Sequence, residues 1–177
     1  MHLQKKSSIL EDMETGEIKF LVLDVDGTLT DGGIYITEKG DEIKKFNTKD
    51  GMGIKNLLKA GVEVGFISAS ISKKIVHHRA AMLGVRYCYV GNGDKSEVLS
   101  QWLDELDLSF KEVAFIGDDI NDAVIMQEVG LSAAPSDALS EVRSIANIVL
   151  EKKGGQGCVR EFIDRVFVNR LLLSNEE

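Results

Sequence analysis

The chain has 177 residues, enough for about one domain, and 44% of them are hydrophobic, which is ample for a single core. Acidic residues outnumber basic ones by 29 to 21, giving a net charge of −8 and a surface with no general attraction for nucleic acid or anionic lipid. No window approaches the ~20 apolar residues that span a bilayer, and Cys88 and Cys158 make no disulfide framework.

The N-terminal "MHLQKKSSILEDMETGE" carries two lysines but no apolar stretch of signal-peptide length, so a cytoplasmic protein is expected. The first ~15 residues and the last few are expected to fray. Ile18 to Asp26 then reads as a strand ending in two carboxylates, Asp24 and Asp26. Gly32 to Asn47 breaks the rhythm with two β-like runs around Lys39-Gly40, which predicts a hairpin flap beside that acidic end. Further strands are predicted at Val62 to Ser68, Tyr87 to Gly91, Val113 to Asp119, Leu131 to Ala134 and Asn147 to Leu150. Helices are predicted between them, near 50–60, 72–84, 95–107, 120–129 and 137–145, with another near 157–170. The clearest carries Val98, Leu99, Trp102, Leu103 and Leu106 at helical spacing, a core stripe. Strand–helix alternation of this kind predicts an α/β fold, a Rossmann-like parallel sheet with helices on both faces. Residues 1–177 read as one domain with its core at 18–166.

In open parallel sheets, sites form where loops leave the carboxyl ends of the strands. Those ends carry, in order, Asp24, Asp26 and Thr28; Ser68 and Ser70; Lys95 after "GNGDK"; and Asp118, Asp119 and Asp122 in "GDDINDA". Each type suits phosphoryl transfer to a carboxylate. Asp24 can attack phosphorus, and Asp26 can protonate the leaving oxygen and later deprotonate water. Asp24 and Asp118 offer hard oxygen ligands for Mg²⁺. Ser68, with loop N–H groups and Lys95, can hold the phosphate oxygens. Taken alone, Asp119 and Asp122 could be no more than helix caps. His77 and His78, adjacent on a helix, cannot both face one site and are expected at the surface.

"DVDGTLTDG", Ser68, Lys95 and "GDDINDA" resemble the four motifs of the haloacid dehalogenase superfamily phosphatases. "KKFNTKDGMGIKNLLKAGVEVGFIS", "RAAMLGV", "GNGDK" and "KKGGQGCVREFID" narrow the resemblance to small capless members acting on phosphorylated 2-keto-3-deoxy sugar acids, the octulosonate 8-phosphate and nononate 9-phosphate enzymes. The resemblance implies Mg²⁺ held by the carboxylates of Asp24 and Asp118 and the backbone carbonyl of Asp26. It implies catalysis by Asp24, Asp26 and Lys95, with Asp119 orienting Lys95 or a metal-bound water. Substrate binding would fall to Thr28, Ser68, Ala69, Lys95 and Arg160. It further implies a homotetramer built on the hairpin flap, in which "GGQG" (Gly154 to Gly157) and Arg160 reach toward a neighbouring site. From the residues alone, "GGQG" reads as a mobile loop before a helix. Ser70 departs from the arginine usual in the octulosonate enzymes, which leaves the sugar open. Two rivals fit the same residues: a phosphatase for another small metabolite, or a non-catalytic assembly module like those fused to sialic-acid-type cytidylyltransferases.

Overall fold

The structure is a computed structural model describing residues 18–173; the expectation of frayed ends concerns residues outside that range. Strand β1 (Phe20–Leu23) is followed by a small antiparallel pair, β2 (Tyr35–Ile36) and β3 (Glu42–Ile43). Then come β4 (Glu63–Ser68), β5 (Tyr87–Val90), β6 (Val113–Ile116), β7 (Leu131–Ala134) and β8 (Ile148–Val149). Apart from β2 and β3 they pair in parallel as one six-stranded sheet in the order β5-β4-β1-β6-β7-β8. The chain runs outward from β1 through β4 to β5, then returns past β1 to build β6, β7 and β8. The order therefore reverses beside β1, the point where ligand crevices form in such sheets.

The central strands are apolar along their whole length because helices cover both faces. Leu21 and Leu23 pack with residues of α1 (Thr48–Lys59), α2 (Lys73–Leu83) and α6 (Cys158–Val166). Phe20 and Val22 point the other way, toward α3 (Lys95–Leu106), α4 (Ala123–Glu128) and α5 (Ser140–Ile145). The predicted stripe on α3 is core: Leu99 and Leu103 are buried, with Val98, Trp102 and Leu106 packed around them. His77 and His78 are exposed.

Local signals fix the helix starts that matter for the site. Asn47 caps α1 by accepting from Lys49 N at 2.8 Å. Asp94 caps α3 by accepting from Ser96 N and Glu97 N, which makes Lys95 the first residue of that helix. The helix predicted near 157–170 is two helices, α6 and α7 (Val168–Leu173). They part at Phe167, which leaves helical geometry and buries its ring 6.2 Å from that of Phe162. The flap's strands are only two residues each, closed by Thr37 and Gly40, and an isolated bridge between Thr30 and Phe46 roots it in the loop after β1.

Gly65 shows how tightly the sheet's second face is filled. A Cβ there would lie 2.9 Å from both the Phe20 and Trp102 rings, which with Tyr87 form a tilted cluster with centroids 5.4–6.1 Å apart. Gly65→Ala is expected to cost about 1–3 kcal/mol by overpacking, read as a lower urea midpoint at unchanged slope.

Candidate active site

Asp24 follows β1 directly, and its N–H still bonds to Ile116 O at 2.9 Å, extending the sheet by one rung. The chain then turns sharply. Gly27 has φ 95°, and a Cβ on it would lie 2.0 Å from Asp118 Oδ2. Only glycine permits both this backbone and the approach of the β6 loop to it. Asp24 and Asp118 are thereby brought to one edge, and carboxylate oxygens of Asp24, Asp118 and Asp122 lie within 4.8 Å of one another.

Lys95 enters this cluster from the start of α3. Its Nζ donates to Asp24 Oδ1 at 2.7 Å and to Asp122 Oδ1 at 2.6 Å, with all three side chains at most 8% exposed. Asp122 Oδ2 accepts from the backbone N–H groups of Asp118 and Asp119 at 3.0 and 3.2 Å. Both oxygens of Asp122 are thus occupied. It holds the lysine and shapes the loop, a role the sequence placed at this rim without specifying and one beyond a helix cap. The contact with Lys95 expected of Asp119 is made by Asp122 instead, while Asp119 lines the cleft, where a metal-bound water, the other partner expected of it, would lie. Asp119 is exposed and accepts from Ile120 N at 2.6 Å, capping the turn Ile120–Asp122.

Beside the cluster lies a cleft of about 330 Å³ lined by Asp24, Asp26, Asp118 and Asp119 together with Ile34, Glu42, Lys44, Ala69, Ser70, Ile71 and Asn121. Asp26 Oδ2 accepts from the buried Ser68 hydroxyl at 3.4 Å, and Ser68 Oγ in turn accepts from Ser70 N at 3.1 Å. Asp26 Oδ1 pairs with Lys44 of the flap, a residue not singled out from the sequence. Ser70 Oγ is used locally, accepting from Ser72 N. A second cleft of about 350 Å³ shares Ala69 and Asn121 with the first and reaches Lys95 from the other side.

Not every expected residue comes to the cleft. Thr28 lies behind it, fully buried, because the turn at Gly27 directs the chain inward; its Oγ1 has no hydrogen-bond partner. Arg160, expected to reach toward a neighbouring site and not toward this one, sits on α6, donating through Nε to Asp164 at 2.7 and 2.8 Å and lying over Gly53. "GGQG" is a buttress, not a mobile loop. Gly155 N donates to Thr28 O at 3.0 Å, Asn47 Nδ2 donates to Gly155 O, and a Cβ on Gly154 would fall 1.8 Å from Gly27 O. Its glycines allow the chain to press against the back of the acidic loop.

Burial pushes the Asp24 carboxyl well above the usual carboxylate range. The Asp122 charge adds to this, and Lys95 works against both. Burial likewise pushes Asp118 up to about 7, helped by Asp122 and Asp119. Burial opposes charge on Lys95, yet Asp24 and Asp122 outweigh it and hold the ammonium above the ordinary lysine range. Asp118 Oδ1 is buried and has no hydrogen-bond partner. One ammonium among three carboxylates leaves a site short of positive charge, and a hard divalent cation fits the oxygen donors of Asp24 and Asp118.

Residues 84–163 match the model of the haloacid dehalogenase-like hydrolases. The chain is 41% identical over 147 residues to 3-deoxy-D-manno-octulosonate 8-phosphate phosphatase KdsC of Escherichia coli K12, spanning 83% of this chain and 78% of that one. The crystal structure of 3-deoxy-D-manno-octulosonate 8-phosphate phosphatase from Yersinia pestis superposes with a TM-score of 0.87 at 36% identity, covering 93% of this chain and 88% of that one. The corresponding phosphatase from Moraxella catarrhalis, solved with magnesium, phosphate and KDO, gives 0.88 at 28% identity over 97% and 99%. The chain belongs to the haloacid dehalogenase-like hydrolases, the family to which its four strand-end motifs pointed.

Proposed function

We propose that this protein is a Mg²⁺-dependent phosphomonoesterase that hydrolyses 3-deoxy-D-manno-octulosonate 8-phosphate. The observation that carries the reading is the convergence of Asp24, Asp118 and Lys95, from three separate strand ends, on one desolvated rim. The curated relatives that this chain resembles over most of its length are named for that substrate.

Asp24 is the nucleophile. It lines the cleft, and its Oδ1 is held by Lys95. As Asp24 bonds to phosphorus, the ester P–O bond breaks and Asp26 gives its proton to the departing sugar oxygen. Asp26 then takes a proton from water as the water oxygen bonds to phosphorus, and the Asp24–phosphorus bond breaks to restore the carboxylate. Ser68 and Lys95 hold phosphate oxygens, with Ala69 at the junction of the two clefts. The carboxylates of Asp24 and Asp118 and the backbone carbonyl of Asp26 would hold Mg²⁺, which supplies the positive charge that lets a phosphate dianion approach carboxylates. Positioning and electrostatics do most of the work in such transfers.

Residues 18–166 act as one catalytic unit in this reading, and the working form is a homotetramer assembled through the flap. Ile34, Tyr35, Ile36 and Ile43 are each more than half exposed there, an apolar surface suited to a subunit contact. Among the described residues no helix is long and apolar enough to cross a membrane; the reaction is assigned to the cytoplasm as part of this reading.

With Mg²⁺ the protein is expected to release phosphate from 3-deoxy-D-manno-octulosonate 8-phosphate with a kcat/KM at least about tenfold above nucleotides and phosphoserine. EDTA should abolish that release, and Asp24→Asn should lower turnover to background while leaving the thermal midpoint close to the parent's. Phosphate release at the parent rate by Asp24→Asn would contradict the assignment.

The raised Asp118 carboxyl gives a separate test on metal-free protein. Its folded value near 7 exceeds the ordinary 3.8, so the folded state holds the extra proton between those values. Stability from this group is therefore lost as pH rises from about 4 to about 7. In EDTA the parent is expected to lose urea midpoint relative to Asp118→Asn across that window, and saturating Mg²⁺ is expected to reverse the trend.

A further inference from the structure

We propose that Lys44, carried by the flap, is a positioning residue for the proton donor Asp26; the inference rests on the acid–base role given to Asp26 above. Lys44 follows β3 directly, and its side chain is 1% exposed within a single chain. A buried ammonium is costly unless it is paired. Its partner is Asp26 Oδ1, with Glu42 Oε2 4.0 Å away on the flank. The neighbouring Lys45 points outward to Asp31 and is 58% exposed. Two residues beyond Lys44, the bridge from Phe46 to Thr30 ties the flap's base to the loop that carries Asp26. The ammonium is therefore delivered by a rooted backbone, not by a surface side chain folding over.

The Asp26 carboxyl group is held at Oδ1 by Lys44, while its Oδ2 meets the Ser68 hydroxyl at 3.4 Å, a contact given up when that hydroxyl turns to a phosphate oxygen. A carboxyl group anchored at Oδ1 keeps its orientation as Oδ2 and the proton it carries are presented to the departing ester oxygen. When that proton moves to the sugar oxygen, the carboxylate left behind lies against the Lys44 ammonium. The step thus ends in the same ion pair that the protein holds before substrate arrives, and the pair persists until Asp26 recovers a proton from water. Lys44 acts through Asp26 and need not touch the phosphate.

The dependence on leaving group separates this role from a structural one. A sugar alkoxide departs only with a proton, whereas p-nitrophenolate departs without one. Lys44→Met, of similar length, is expected to lower kcat on 3-deoxy-D-manno-octulosonate 8-phosphate by about 100-fold. On p-nitrophenyl phosphate the loss should be several-fold smaller, and Lys44→Arg should recover most of the sugar-phosphate rate. The ratio of the two rates within one preparation does not depend on how much of the variant is folded. Equal losses on both esters, or a change in KM alone, would overturn the proposal. Asp26→Asn measured alongside locates the failure. If Asp26→Asn discriminates between the esters and Lys44→Met does not, Lys44 has no part in positioning the acid. If neither discriminates, the acid role of Asp26 falls and this inference falls with it.

Discussion

The contact on which the site depends is the Lys95 ammonium held between the carboxylates of Asp24 and Asp122 in a nearly dry pocket. Two acids and a base taken from water gain little net stability from one another. Their placement here answers a different need. Asp24 must be close to phosphorus, desolvated and yet able to ionise. Burial and the Asp122 charge hold its carboxyl well above the usual range, and Lys95 works against both. A divalent cation on the same oxygens would favour the charged form further. Asp122 supports the lysine from behind while binding the N–H groups of Asp118 and Asp119, so a single side chain sets both the cation and the β6 loop.

Around this contact the packing is arranged to bring backbones unusually close. Gly27 lets Asp118 approach the turn after Asp24, and Gly154 and Gly155 let a distant segment press on the same turn from the opposite side. Cys158 adds a contact from its Sγ to Thr28 O at 3.3 Å at the start of α6. The acidic loop is therefore clamped between β6 on one side and the buttress before α6 on the other. The flap closes the third side, rooted at Thr30 and inserting Lys44. A rigid frame of this kind suits chemistry in which little covalent rearrangement of the protein occurs and most of the acceleration comes from fixed charges.

The strand ends were legible in the sequence because each motif follows an apolar run, and a parallel sheet must carry all such ends to one edge. What was not legible turned on geometry below the reach of pattern. Asp119 and Asp122 are both acids of one tight turn, and only its hydrogen bonding shows that Asp122 faces Lys95. Lys44 and Lys45 are adjacent and alike, and a strand of two residues is too short for alternation to reveal which one points inward. "GGQG" gave the opposite reading to the truth, since glycine marks close approach as readily as mobility. The break at Phe167 went unseen because the apolar spacing continues through it.

The central claim is that Asp24 attacks phosphorus and carries the phosphoryl group between the two steps. Acid-quenching the enzyme during turnover of the sugar phosphate with Mg²⁺, reducing with borohydride and sequencing the peptides by mass spectrometry tests it directly. An acyl phosphate at Asp24 would be reduced, leaving homoserine in its place and at no other aspartate. Homoserine at Asp26 or Asp118, or none under conditions of full turnover, would contradict the account.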